Sequence, residues 1–321
     1  MLRVENGRFL NLHPHPQRGL RDLLRWQFGL GPKERSSVDR TVLPGRYEPD
    51  AVAPDVDRIR RASRQNLQLT WIGHSTFLLQ VSGLNFLTDP VFARFCSPWP
   101  MWTLRRRAPL PLRLKDLPTI HGVLLSHNHY DHLDARVVRF LPNDVTWFVP
   151  LGLAAWFKQR SVENVVEMDW WQEAEYGPVS IVAVPAQHFS GRTPFDRNLT
   201  LWCGYVLRTK FGPVYFVGDS GYSPSFVDIG RHLGPMRLSM IPIGAYQPRW
   251  FMAPVHMNPE EAVRAHLDVR SEFSVGMHWG TFQMTDEPLA EPPIALRHQL
   301  ARRHLPATTF RTLRFGETVV V

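Results

Sequence analysis

The run Ser126-His127-Asn128-His129-Tyr130-Asp131-His132 places four potential metal ligands in six positions, an HxHxDH pattern. Imidazole and carboxylate are the donors that zinc accepts in open, catalytic sites. The apolar residues Gly122-Val123-Leu124-Leu125 just before it read as a buried strand. The ligands therefore stand where that strand ends and the backbone turns. So many polar groups at a buried strand end are costly unless a cation pairs with them. Three further residues repeat the format: Ile181-Val182-Ala183-Val184 is followed by His188, Val214-Tyr215-Phe216-Val217-Gly218 leads into Asp219, and Phe273-Ser274-Val275-Gly276-Met277 leads into His278. Seven ligands gathered from strand ends suit two adjacent metals better than one tetrahedral ion, with Asp219 as a carboxylate able to bridge them. Such a pair supports metal-assisted attack by water.

Other residues carry weaker signals. His256 precedes Asn258-Pro259-Glu260-Glu261, a helix-start pattern, so a phosphate beside it would lie near a helix N-terminus. His74, within Gly73-His74-Ser75, reads as a structural histidine, and His13, His15, His121, His232, His266, His298 and His304 read as ordinary surface or core residues. Gly218-Asp219-Ser220-Gly221 matches a serine-protease context, but no triad or disulfide framework accompanies it. No GxxxxGK[ST] phosphate loop is present, and Cys96 and Cys203 form no CxxC pair.

The elements that must hold these residues begin at Leu67. Short apolar runs separated by turns predict strands at 67–71, 75–81, 85–87, 123–126, 147–149, 179–184, 203–208, 214–217, 238–243 and 273–277, with a turn at Ser82-Gly83-Leu84. Helices are predicted at 135–140, 151–159 and 259–267. The pattern is not a strict βαβ repeat, so mixed sheets covered by helices are expected. Residues 1–66 are polar, Arg-rich and punctuated by proline. Within them, Leu20, Leu23, Leu24 and Phe28 fall at helical spacing over residues 17–30, with Arg18, Arg21 and Arg25 opposite. This basic amphipathic helix is expected either to pack on the domain with its arginines solvated or to touch a membrane surface.

Composition sets the outer limits. The 321 residues carry 37 Lys+Arg against 29 Asp+Glu, a formal charge of +8, with only two cysteines and 28 prolines. Collagen, coiled coil, disulfide-stapled miniprotein and integral membrane protein are excluded. No signal-peptide pattern opens the chain, so a cytoplasmic protein is expected, with peripheral attachment to the inner face of the membrane open. Length allows two domains or one large one.

The HxHxDH pattern with His, Asp and His at later strand ends resembles the metallo-β-lactamase superfamily. Longer blocks are similar to one branch of it: Trp71-Ile72-Gly73-His74-Ser75-Thr76, Phe86-Leu87-Thr88-Asp89-Pro90-Val91-Phe92, Ile241-Pro242-Ile243-Gly244-Ala245-Tyr246, Asn258-Pro259-Glu260-Glu261-Ala262-Val263 and His278-Trp279-Gly280-Thr281-Phe282. That branch is the N-acylphosphatidylethanolamine-hydrolysing phospholipase D family. The resemblance implies an α/β fold, an αββα sandwich of two mixed β-sheets flanked by helices, over residues 66–321, preceded by an N-terminal segment 1–65. The two-domain estimate then becomes two halves of one domain. It also implies two Zn2+, leaving other divalent metals open. His127, His129 and His188 would hold one ion, Asp131, His132 and His278 the other, and Asp219 would bridge. Asp131 and Asp219 would serve catalysis as well as binding, and His256 would stand on the substrate side, although Val255 replaces the glutamine that usually precedes it.

The implied reaction is hydrolysis of a phospholipid, N-acylphosphatidylethanolamine, to phosphatidic acid and an N-acylethanolamine. An anionic membrane surface would be the partner, a homodimer the assembly, and nucleic acid is not expected. The loop 92–102, with Phe95, Trp99, Met101 and Trp102 before Arg105-Arg106-Arg107, is a candidate anchor, and Trp170-Trp171 and Arg249-Trp250-Phe251-Met252 are candidates for the mouth. Alternatives are hydrolysis of another phosphodiester, a nucleic acid or a lactone by the same centre, or a non-enzymatic zinc-containing membrane-binding module.

Overall fold

The computed structural model describes residues 3–32, 34, 38–61 and 64–321. Of the predicted N-terminal segment, residues 1, 2, 33, 35–37, 62 and 63 lie outside the described residues. The chain opens with a hairpin of β1 (Arg3–Glu5) and β2 (Arg8–Leu10), then α1 (Leu20–Gln27) and α2 (Val56–Arg60). The first half continues through β3 (Gln68–Gly73), β4 (Thr76–Val81), β5 (Leu84–Thr88), β6 (Gly122–Leu124), α3 (Ala135–Phe140), β7 (Thr146–Pro150), α4 (Ala154–Lys158) and β8 (Val165–Met168). The second half runs β9 (Glu173–Tyr176), β10 (Val179–Pro185), β11 (Cys203–Arg208), β12 (Val214–Phe216), α5 (Ser225–Leu233), β13 (Leu238–Pro242), α6 (Arg249–Met252), α7 (Pro259–Asp268), β14 (Ser274–Met277), α8 (Glu291–Arg302) and β15 (Phe310–Thr312). The last strand, β16 (Thr318–Val320), returns to the first half.

Two seven-stranded mixed sheets result, ordered β16-β3-β4-β5-β6-β7-β8 and β15-β14-β13-β12-β11-β10-β9. In each, hairpin-linked strands pair antiparallel and helix-linked ones parallel, β5 to β8 and β12 to β15. Side-chain alternation explains the layers. On β4, Phe77 and Leu79 enter the core between the sheets while Leu78 joins the cluster on the outer face. On β7, Phe148 points inward and Trp147 and Val149 outward, against α3 and α4 side chains Val137, Val138 and Phe157. The far face of the second sheet is covered by Phe226 and Ile229 of α5, Ala262 and Val263 of α7, and Leu296 and Leu300 of α8. This is the expected αββα sandwich. The β4–β5 hairpin closes through Ser82 and Gly83, both with positive φ (53° and 85°), as a two-residue turn of that twist requires.

The sheets are tied together beneath the ligand loop. Tyr205 on β11 donates its hydroxyl to the carbonyls of Leu125 (2.9 Å) and Phe148 (3.1 Å) in the opposite sheet. The backbone N–H of Cys203 donates to the Ser126 carbonyl at 3.0 Å.

Several expectations need correction. Strands β1, β2, β8, β9, β15 and β16 and helices α2, α5, α6 and α8 were not predicted, and the helix expected at 151–159 covers only Ala154–Lys158. Helix α1 buries no residue: Leu20 (71%) and Phe28 (73%) remain exposed. It is held instead by Trp26, packed at a tilt 5.2 Å from Phe251 and donating to Asp286, while Arg18 and Arg25 lie over the Trp250 ring rather than in solvent alone. Arg106 is not a surface charge either. Its guanidinium donates to the carbonyls of Ala93 and Val91 and packs 5.0 Å from the Phe282 ring, bracing the loop from inside. Trp170 is buried and donates to the Trp202 carbonyl, so it packs the core rather than lining a mouth. Among the described residues no helix is long and apolar enough to cross a membrane.

Candidate metal centre

All seven predicted ligands meet at one place, where the C-terminal ends of strands from both sheets converge. His127, His129, Asp131 and His132 follow β6, His188 follows β10, Asp219 follows β12 and His278 follows β14. Five of them are buried, and His129 and Asp131 are partly so.

Two sets of donors face one carboxylate oxygen. Asp219 Oδ2 lies 3.1 Å from Nε2 of both His132 and His278, 3.7 Å from His188 Nε2 and 4.0 Å from His127 Nε2. On one side His127 Nε2 and His188 Nε2 stand 2.8 and 3.4 Å from His129 Nδ1, so three ring nitrogens converge. On the other, Asp131 Oδ2 lies 3.3 Å from His132 Nε2 and 3.5 Å from His278 Nε2.

Hydrogen bonds on the far side of the rings fix which nitrogen is bare, as ligating histidines require. His188 Nδ1 donates to the Val255 carbonyl at 2.9 Å. His132 Nδ1 donates to Asp89 Oδ2 at 2.6 Å. Ser126 Oγ donates to Asp89 Oδ2 at 2.5 Å and accepts from His127 Nδ1 at 2.8 Å. With a metal bound, each of these rings would therefore turn a bare Nε2 toward Asp219. Asp89, which also accepts from the Ser126 backbone N–H at 2.7 Å, was missed as a site residue, as was Asn11. The Asn11 side chain grips His188 by accepting from its N–H (3.1 Å) and donating to its carbonyl (2.8 Å). The available signal for Asp89 was its position one residue beyond an apolar strand, the same format as the predicted ligands.

The charges are arranged for a cation. Burial lowers His127 well below the usual histidine range, His129 to about 3 and His188 to about 4, leaving neutral donors. Burial alone would raise Asp131 and Asp219, but the adjacent His132 charge overrides it and holds both well below the carboxylate range. Burial would likewise depress His132 and His278; carboxylates led by Asp219 prevail and lift His132 well above its ordinary value and His278 to about 9. Protons on these two rings thus occupy the position of positive charge. His132 Nε2, His278 Nε2 and Asp219 Oδ1 are buried without a hydrogen-bond partner. Buried polar atoms are rarely left so, and a cation among neutral imidazoles and ionised carboxylates satisfies them. The residues present fit a metal.

His256 lies beside the cluster, its ring 5.0 Å from His188 and 5.4 Å from His278, with a buried Nδ1 that has no partner. The helix start after it is less open to phosphate than expected. Asn258 accepts from the Glu261 N–H, Glu261 accepts from the Asn258 N–H, and Pro259 has no N–H to offer. His74, read as structural, sits inside the site: its Nε2 is 3.0 Å from Asp131 Oδ2.

The Beta-lactamase superfamily domain model matches residues 84–279. The chain belongs to the metallo-β-lactamase superfamily, in its N-acylphosphatidylethanolamine-hydrolysing phospholipase D family. It is 41% identical over 270 residues to the N-acyl-phosphatidylethanolamine-hydrolyzing phospholipase D 1 of Caenorhabditis elegans, covering 79% of this chain and 76% of that one. The mitochondrial protein of that name from Saccharomyces cerevisiae is 34% identical over 232 residues, 70% of this chain and 49% of its own. Among solved structures, Igni18, a metallo hydrolase of Ignicoccus hospitalis, covers 80% of this chain and 98% of its own at 22% identity, with a TM-score of 0.61, a likeness of fold. Family and geometry together make this a metallo-hydrolase with a His/Asp cluster able to bind metal.

Proposed function

We propose that the protein is a dinuclear zinc phosphodiesterase of phospholipase D type, acting on N-acylphosphatidylethanolamine. The substrate reading is carried by the 41% identity to the nematode enzyme over most of both chains. The placement of Asp219 Oδ2 within 4.0 Å of four ring nitrogens supports two ions sharing one carboxylate. His127, His129 and His188 would hold one ion, Asp131, His132 and His278 the other, and Asp219 both. Bound there, such a pair lowers the pKa of water and neutralises charge on phosphoryl oxygens.

The chain's own groups do the rest. Asp131 orients the water for attack at phosphorus, where the P–O bond to the N-acylethanolamine breaks and phosphatidic acid remains. His256, beside the cluster and with a buried, unpartnered Nδ1, holds a phosphoryl oxygen. Exposed Trp99, Met101 and Trp102, with Arg94 and Arg105 over the Trp102 ring at 5.4 and 5.0 Å, form an amphipathic lip suited to an anionic bilayer.

The test is metal analysis combined with turnover of N-acylphosphatidylethanolamine, bis-p-nitrophenyl phosphate and RNA. The expected result is close to two zinc per chain and lipid turnover that a chelator abolishes. Turnover of RNA but not lipid overturns the reading.

A further inference from the structure

We infer that His74 is a positioning residue for the metal centre, holding the Asp131 carboxylate through an Nε2–H bond. The inference rests on the reading of Asp131 as a ligand. His74 is buried at the β3–β4 turn, with Nε2 3.0 Å from Asp131 Oδ2. Its ring centroid lies 4.0 Å from that of His278 and 5.4 Å from that of His132. Asp131 Oδ2 is thus approached by His74 as well as by the two ligand rings, at 3.3 and 3.5 Å.

Hydrogen-bond accounting selects the tautomer. His74 Nδ1 is buried and has no partner. A proton there would be a buried donor with nothing to accept it, while Nε2 would present a lone pair to a carboxylate oxygen. With the proton on Nε2, a good donor meets a carboxylate and only a weak acceptor is left unmet. The ring therefore offers Nε2–H to Asp131 and acts on the site through it.

The backbone is shaped to make that bond. His74 has φ of +54°, a left-handed conformation uncommon for residues other than glycine. Three contacts hold it there. Its N–H donates to Thr281 Oγ1 at 2.8 Å, and its carbonyl accepts from Trp71 Nε1 at 3.0 Å and from the His278 N–H at 3.2 Å. The last ties His74 to a ligand-bearing loop of the other sheet, so one residue sets Asp131 and His278 relative to each other.

The test compares His74→Leu, which keeps bulk but has no donor, with His74→Gln, which restores an N–H at similar reach. Both carry the same backbone constraint. Outer-shell partners of metal ligands typically change metal affinity or activity by about 10–100-fold. The expected result for Leu is a loss of metal affinity in that range, read by competition with a chromophoric chelator, with kcat reduced and KM unchanged. Gln should recover most of both. Equal losses in Leu and Gln, or a Leu variant that binds metal like the parent, overturn the inference. Should Leu fail to fold, 15N-histidine NMR of the parent decides: a proton on Nδ1 of His74 overturns it. If the affinity effect appears but the protein turns over RNA rather than lipid, the proposed substrate fails and the positioning role stands.

Discussion

Replacing Asp89 by Asn tests whether the ring orientations described here prepare the site for metal. Asp89 accepts three hydrogen bonds: the Ser126 N–H at 2.7 Å on Oδ1, and Ser126 Oγ at 2.5 Å and His132 Nδ1 at 2.6 Å on Oδ2. An asparagine fits the same space but brings two donors. Its oxygen must face the Ser126 backbone N–H, which can only donate. Its NH2 then faces Ser126 Oγ, which can accept, and His132 Nδ1, which cannot while protonated. The remedy is for His132 to carry its proton on Nε2, the atom that stands 3.1 Å from Asp219 and 3.3 Å from Asp131. That proton closes the lone pair a cation needs. Three charge-assisted bonds of about 1.5–3 kcal/mol become neutral ones of about 0.5–1.5, so the metal-free protein should lose roughly 3–4.5 kcal/mol by urea unfolding. Metal affinity should fall by about 10–100-fold, the usual range for such partners. Chelator competition measures the affinity and phosphodiester turnover at saturating metal measures the chemistry. An Asn variant that keeps parental metal affinity refutes the tautomer argument, whatever its stability.

Two further predictions concern the frame. Tyr205→Phe removes the hydroxyl that joins the sheets and leaves the Leu125 carbonyl, two residues before His127, without that donor; stability should fall by about 1–3 kcal/mol, and an unchanged urea midpoint would count against the bridge. His266 lies away from the metal centre, hydrogen-bonded to Ser274 Oγ at 2.8 Å, and burial lowers its pKa from 6.5 to about 4. The unfolded imidazole therefore takes its proton first as pH falls. The stabilisation it gives is full above about pH 6.5 and is lost toward pH 4, by at most about 3 kcal/mol at 1.36 kcal/mol per unit. His266→Gln should flatten that part of the stability–pH curve, and a variant with the parent's slope would show that another group is responsible.

The clustered histidines and aspartates were legible because their chemistry contradicts their surroundings. Histidine and aspartate directly after an apolar strand have no inexpensive structural use. The residues that orient them were not legible, because what matters there is a partner remote in sequence. Asp89 is 37 positions from Ser126, and Asn11 is 177 from His188. His74 looked like any other histidine until its distance to Asp131 was known. The missed elements have local causes. Strand β9 reads Glu173-Ala174-Glu175-Tyr176 and has partly exposed residues at a sheet edge, so it lacks an apolar run. Helix α5 contains Gly230, a poor helix residue, because α7 packs so closely that a Cβ there would lie 2.1 Å from the Asp268 carbonyl oxygen. Helix α8 begins Glu291-Pro292-Pro293, which resembles a break although proline is tolerated in a first turn. The opening hairpin carries Asn6-Gly7, both with positive φ (50° and 71°), a turn signal obscured by exposed strands.

The topology explains why ligands so far apart in sequence meet. Parallel strands in one sheet end on the same side, so residues just beyond β5 and β6 become neighbours, as do those beyond β12 and β14. Asp89 and the HxHxDH loop come from the first pair, Asp219 and His278 from the second. Stacking the sheets face to face brings the two groups together, and Tyr205 and the Cys203 N–H fix their spacing within two residues of His127. Each sheet pairs some charges of its own, His132 with Asp89 and Asp131 in the first and Asp219 with His278 in the second. Joined, Asp219 from one sheet also faces His132 and His127 from the other, so the full donor set is completed only in the sandwich. The donor set therefore spans both halves, and loss of the inter-sheet ties should weaken metal retention as well as stability.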